Sequence, residues 1–204
     1  MTTVQVDTPH GQARAHVHCV SEGRAALLLG HGAGGGIDAV DLVAAARAAR
    51  DAGVHVALVE QPYRVAGRRA PSPAGMLDTA FLSVADALAG RYFGGMPMVF
   101  GGRSSGARVA CRTQEAGQAV AVLALAFPVH PPGRPERSRQ QELDEVAVPT
   151  LIVQGATDPF GTPVPAAHQE LAVLAGNHAL KADPDGITRV VADWLDRVLR
   201  PLER

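Results

Sequence analysis

The stretch Pro97-Met98-Val99-Phe100-Gly101-Gly102-Arg103-Ser104-Ser105-Gly106 decides how the rest of the chain is read. A short apolar run meets Gly-x-Ser-x-Gly, and Ala107-Arg108-Val109-Ala110-Cys111 continues as a good helix former. A buried strand that turns through this pentapeptide into a helix has the layout of a nucleophile elbow. The turn strains the serine backbone, and only glycine fits at the flanking positions. The Ser104 hydroxyl is then raised above a sheet at a helix N-terminus, where free N–H groups and the positive dipole end face developing negative charge. Glycine is abundant (22 of 204 residues) and serine scarce, so chance supplies such a motif about 0.1 times in this chain. The motif points to nucleophilic hydrolysis. Its bland competitor is a glycine-rich turn carrying an idle serine. Ser105 lacks the glycine spacing and is expected to act through its backbone N–H.

Outward from the elbow, strands and helices alternate. Residues 5–6 and 13–20 read as an N-terminal strand pair around Pro9-His10-Gly11. Residues 25–29, 54–59, 97–100, 120–127, 150–153 and 170–174 read as strands. Helical spacing of apolar residues predicts helices over 37–52, 74–89, from the elbow to about 116, and along Ile187, Val190, Val191, Trp194, Leu195, Val198 and Leu199, ended by Pro201. Repeated βα units imply a mainly parallel sheet with helices on both faces. Residues 131–135 (Pro-Pro-Gly-Arg-Pro) read as a loop, and residues 1–204 as one domain.

Composition narrows the function classes. The chain is 47% hydrophobic and 19% charged with a net charge of −1, which gives no field for nucleic acid or an anionic membrane. Aromatics are 4%, and no basic face recurs. The longest apolar stretch, 119–128, is about half the length that spans a bilayer. The N-terminus has neither a basic start nor an apolar signal core, so a cytoplasmic location is expected. Cys19 and Cys111 lack metal-ligand or C-x-x-C spacing and read as buried thiols in a reducing compartment. No metal or cofactor is expected, and the partner is a small molecule acting on a monomer or homodimer.

A nucleophilic serine needs a base and an orienter. In a parallel sheet these gather in loops at the carboxyl ends of strands. Asp158 follows Thr150-Leu151-Ile152-Val153-Gln154-Gly155-Ala156-Thr157, and His178 follows Leu171-Ala172-Val173-Leu174-Ala175-Gly176-Asn177. The order Ser104, Asp158, His178 is that of an α/β-hydrolase triad, with His178 taking the serine proton and Asp158 holding the imidazole. Singly, an Asp-Pro pair is a turn former and a lone histidine is structural; jointly, three residue types in three correct loops favour catalysis.

The loop Gly30-His31-Gly32-Ala33-Gly34-Gly35-Gly36 follows the strand at 25–29 and has the position of an oxyanion-hole loop. The N–H of Ala33, then that of Gly34, is expected to pair with the N–H of Ser105. The same loop also satisfies G-x-G-x-x-G, and Glu60 ends the next strand, so a dinucleotide fingerprint is the rival reading. That rival leaves Ser104, Asp158 and His178 unexplained.

These segments, with Phe127-Pro128-Val129-His130-Pro131-Pro132-Gly133 and Gln154-Gly155-Ala156-Thr157-Asp158-Pro159-Phe160-Gly161, resemble the α/β-hydrolase superfamily. More narrowly they resemble the small capless group of testis-expressed protein thirty and dienelactone-hydrolase-like proteins. The resemblance implies an α/β-hydrolase fold without a lid domain, with Ser104 as nucleophile, Asp158 as acid and His178 as base. It departs at Asn177, where such proteins often carry aspartate. The group includes scaffold-like proteins, so a catalytically silent binder of a small molecule or protein is the alternative.

Only about twenty residues separate the strand at 120–127 from that at 150–153, where lids of this fold are inserted; an open site and a small soluble ester, thioester or lactone are expected. Arg64, Arg68, Arg69, Arg103, Arg134, Arg137 and Arg139 fall in nearby loops. His31, Arg64 and Arg103 are candidate substrate contacts, with Arg103 orienting an anionic substrate. The competing reading gives Arg103 an internal ion pair with Glu60 or Glu115.

Overall fold

The longest apolar runs of the chain become the centre of one eight-stranded sheet in the computed structural model, which describes residues 1–200. The strands are β1 (Thr2–Thr8), β2 (Gly11–His18), β3 (Ala25–Gly30), β4 (Val54–Glu60), β5 (Met98–Arg103), β6 (Ala121–Leu125), β7 (Thr150–Gly155) and β8 (Gln169–Leu174), in the order β1-β2-β4-β3-β5-β6-β7-β8. β1 and β2 are antiparallel to their neighbours and every other pairing is parallel. β3, β6 and β7 are buried along their whole length, as strands covered on both faces must be.

Side-chain alternation divides the core in two. Leu27 and Leu29 face a cluster with α1 (Val40–Asp51) and α6 (Pro184–Leu199), while Leu28 faces one with α3 (Ala74–Arg91), α4 (Ser105–Thr113) and α5 (Gln140–Asp144). Alanines 45, 48 and 49 of α1 are buried, and small side chains let the helix lie close on the sheet. In α6 the buried stripe is Ile187, Val191, Trp194, Leu195 and Leu199, and the Asp183 carboxylate caps the helix by accepting from the Gly186 N–H at 2.7 Å. Pro201, expected to end this helix, lies outside the described residues.

The connections place a crevice. β3 leads through α1 to β4 on one side, and the chain then returns across β3 to β5 on the other. β3 and β5 are hydrogen-bonded neighbours, with Gly30 beside Gly102, yet the helices that follow them cover opposite faces. Their carboxyl ends therefore diverge, and a ligand site is expected at such a switch point. Between β6 and β7 the chain forms only α5 and loops, and no lid is inserted.

Several boundaries differ from those read in the sequence. α1 starts at Val40 because Ala39 is extended (ψ 136°). β5 runs on to Arg103, since Gly101, Gly102 and Arg103 keep pairing with Leu123, Ala124 and Leu125. α2 (Pro62–Val65) and α5 are too short to show a periodicity. Cys111 is buried, but Cys19 is exposed, because β2 ends at His18 and the chain turns away there.

Candidate active site

Ser104 follows the last residue of β5 and has φ 53° and ψ −110°. A non-glycine residue held at positive φ costs about 1–3 kcal/mol and persists only where its surroundings fix it. Here the Ser104 N–H donates to the Leu125 carbonyl at 2.9 Å. The flanking glycines answer to contact rather than to dihedral angle. A Cβ on Gly106 would lie 2.2 Å from the Gly30 carbonyl oxygen, and one on Gly102 2.6 Å from that same atom. The elbow thus rests directly on the end of β3.

The structure brings the other two residues to Ser104. His178 comes from the loop after β8, and its Nε2 lies 2.9 Å from Ser104 Oγ. Its Nδ1 lies 2.8 Å from Oδ2 of Asp158, in the loop after β7. The Asp158 carboxyl is fully buried. Its Oδ1 accepts from the Phe160 N–H and its Oδ2 from Gln154 Nε2, each at 2.8 Å. Every neighbour is a donor to this carboxylate, so His178 carries its proton on Nδ1 and turns the Nε2 lone pair to the serine hydroxyl. The Phe160 ring stacks on the imidazole at 4.0 Å, a face that favours a cationic ring.

Gln154 and Phe160 escape single-residue reading, although both lie in the segment that contains Asp158. Gln154 Nε2 faces three acceptors: the Asp158 carboxylate, the Phe127 carbonyl (3.2 Å) and the Gly161 carbonyl (2.8 Å). Its Oε1 is buried without a partner among the described residues. The signal was an amide four residues before the acid, legible only once β7 fixes its direction.

The loop after β3 is held from behind. His31 is buried, and the Gln61 N–H donates to its Nε2 at 3.1 Å, which leaves Nδ1–H to donate to the Gly32 carbonyl at 2.8 Å. Burial lowers the His31 pKa against the opposing pull of that carbonyl. His31 is therefore a neutral support of the loop and not the substrate contact expected of it. The Tyr63 hydroxyl donates to the Ala33 carbonyl at 3.0 Å and its ring meets His31 edge-on. Carbonyl and N–H point opposite ways across a trans peptide, so His31 aims the Ala33 N–H and Tyr63 aims the Gly34 N–H. Neither amide has a backbone partner among the described residues, whereas the Gly35 N–H closes a turn on the Gly32 carbonyl. The Ser105 N–H belongs to the first turn of α4 and has no partner within the helix.

Arg103 forms an internal ion pair, but with Asp41 of α1 (Nε to Oδ2, 2.8 Å) rather than with Glu60 or Glu115. Its Nη2 donates to the His178 carbonyl at 2.7 Å. Burial raises the Asp41 pKa and Arg103 pulls it back. Glu60 instead takes Arg14 and His16 on β2, and α1 begins four residues after Gly36, so the dinucleotide layout is not built. Arg64, half-buried on α2, makes no side-chain hydrogen bond or ion pair among the described residues and does not line the cavity that Arg103 borders. That cavity, of about 440 Å³, is bordered by Gly34, Gly36, Val40, Arg103, Ala179 and Lys181. Among the described residues no group of three or more His, Cys, Asp or Glu is placed to share a metal ion.

Comparison with known proteins agrees with this architecture. The family model described as the alpha/beta hydrolase domain matches residues 23–186. The chain belongs to the α/β-hydrolase family. No curated protein matches it. Among solved α/β-hydrolase structures, a serine hydrolase of Xanthomonas campestris described as without a lid has a TM-score of 0.78 at 20% identity, with 96% of this chain and 94% of that chain covered. Est1E of Butyrivibrio proteoclasticus has 0.78 at 16%, covering 98% and 100%. A dienelactone hydrolase of Anabaena variabilis has 0.74 at 15%, covering 96% of each. At such identities the likeness is one of fold. No helix of this α/β-hydrolase among the described residues is long and apolar enough to cross a membrane.

Proposed function

We propose that the protein is a serine hydrolase that cleaves a small soluble ester, thioester or lactone. The observation that carries this reading is the unbroken chain from Ser104 Oγ through His178 to Asp158, at 2.9 and 2.8 Å, starting from a serine held at φ 53°. His178 Nε2 accepts the hydroxyl proton as Ser104 attacks the acyl carbon. Asp158 remains ionised and stabilises the imidazolium, and the Phe160 face adds to that. The negative charge that develops on the acyl oxygen falls to the N–H groups of Ala33, Gly34 and Ser105. Imidazolium then protonates the leaving group, and His178 next draws a proton from water to release the acyl group. The absence of a lid suits a soluble substrate that enters from water.

The test is fluorophosphonate labelling followed by intact mass, on wild type and Ser104→Ala. One adduct on wild type and none on the folded variant is the expected result. A well-folded wild type that stays unmodified would overturn the hydrolase reading. An ester and thioester panel on the same pair then identifies the acyl class, with a loss of about 10³-fold or more in kcat expected for Ser104→Ala.

A further inference from the structure

We propose that the Asp41–Arg103 pair is a positioning device that fixes the His178 backbone over Ser104. Its role in turnover rests on the serine-hydrolase reading; the clamp itself rests on geometry. Arg103 is the residue before Ser104, and its guanidinium spans to a loop 75 residues further on in the chain. One edge of the fork is fully used, with Nε on the Asp41 carboxylate and Nη2 on the His178 carbonyl, at 2.8 and 2.7 Å. Such an edge fixes two directions at once, which a lysine ammonium does not.

The anchor at the far end is as constrained as the fork. The Asp41 carboxyl is fully buried, and its second oxygen accepts from the Leu42 N–H at 2.9 Å, so it cannot swing without losing a hydrogen bond. A fully buried carboxylate is seldom a gain in stability over apolar packing, which points to a role in orientation. The path between the two is kept open by Gly32, where a Cβ would sit 2.8 Å from Arg103 Nη1. Three elements, namely α1, the end of β5 and the loop after β8, therefore meet through one side chain. The imidazole has its own contacts, to Asp158, Ser104 and Phe160, but these set ring rotation. The Arg103 bond sets where the ring's backbone root lies. A displacement of about 1 Å at a reacting group costs on the order of a hundredfold in rate.

The experiment uses Arg103→Met, Arg103→Lys and the isosteric Asp41→Asn, with two readouts. The first is the fluorophosphonate labelling rate of Ser104 across pH. The expected plateau rates are about 10- to 100-fold lower for Arg103→Met, little better for Arg103→Lys, and intermediate for Asp41→Asn, whose one amide oxygen can accept from Nε–H or from the Leu42 N–H but not from both. Guanidinium chloride at concentrations far below denaturing is expected to restore part of the Arg103→Met rate, and sodium chloride is not. The second readout is amide hydrogen exchange of the segment 176–181, which needs no catalysis. Exchange there is expected to rise about tenfold or more in Arg103→Met and Asp41→Asn while α6 stays protected. Variants that label at the wild-type rate, or that exchange like wild type over 176–181, overturn the clamp. An unlabelled wild type with variant-specific exchange instead leaves the clamp standing and removes the hydrolase reading.

Discussion

The Tyr63 hydroxyl reaches across from α2 to the Ala33 carbonyl and so fixes the direction of the Gly34 N–H. Removing it leaves the amide present but free to rotate. Tyr63→Phe is expected to lower kcat about tenfold with KM within about twofold, less than the 10²–10³ lost when an oxyanion donor is deleted outright. Stability should fall by only about 1 kcal/mol, the net worth of one hydrogen bond. Steady-state kinetics with a melting curve measures both. Ser104, Asp158 and His178 were readable as single letters because each lies within four residues of a strand end, where chemistry collects in a parallel sheet. Tyr63, Gln154, Asp41 and Phe160 were not, because their work is done on partners that only the fold brings near. His31 was readable as important but not for what it does: its ring is turned inward by the Gln61 N–H, and sequence carries no sign of that direction.

At the scale of elements, the elbow and the end of β3 are a single joint. α4 can leave β5 at its observed angle only because Gly106 lies against the Gly30 carbonyl. Gly106→Ala would drive a methyl into backbone rather than into a yielding side chain, and overpacking of this kind costs about 1–3 kcal/mol or more. The expected outcome is a melting temperature several degrees lower and loss of fluorophosphonate labelling, because relief of the clash moves Ser104 away from the loop after β3. A variant with wild-type labelling would show that the joint is looser than its distances. The number and order of the major elements were legible from apolar runs and helical spacing. Their ends were not: the strand before the elbow reads as ending at Phe100, yet the backbone goes on pairing Gly101, Gly102 and Arg103 with β6. Strand pairing is blind to whether a side chain is present.

For the whole molecule, the first response to acid comes from His18, whose pKa burial lowers, together with the buried neutral His31. Each folded pKa is lowered by burial from the ordinary 6.5. The unfolded chain therefore takes up these protons first, and stability falls as pH drops from about 6.5 toward the lower folded values. Glu142 follows. Burial pushes its pKa up, but Arg108 and Arg112 together hold it below the ordinary 4.5, so its contribution is complete above that value and is lost as pH falls through the lower one. Asp41 runs the other way: burial raises its pKa, so its cost to folding eases in acid. The melting temperature is expected to decline between pH 7 and 5 and more steeply below pH 4.5. A tenfold change in one proton affinity is worth about 1.4 kcal/mol, or about 3–6 °C for a chain of this length. Calorimetry across that range checks it, and a flat profile from pH 7 to 5 would mean that His18 and His31 are protonated at no cost. The chain also contains a single lysine, Lys181, exposed at the rim of the cavity beside Arg103 and Ala179. Amine chemistry on the native protein thus has one side-chain address, and a dye coupled there would watch the cavity that Arg103 borders without any engineered cysteine.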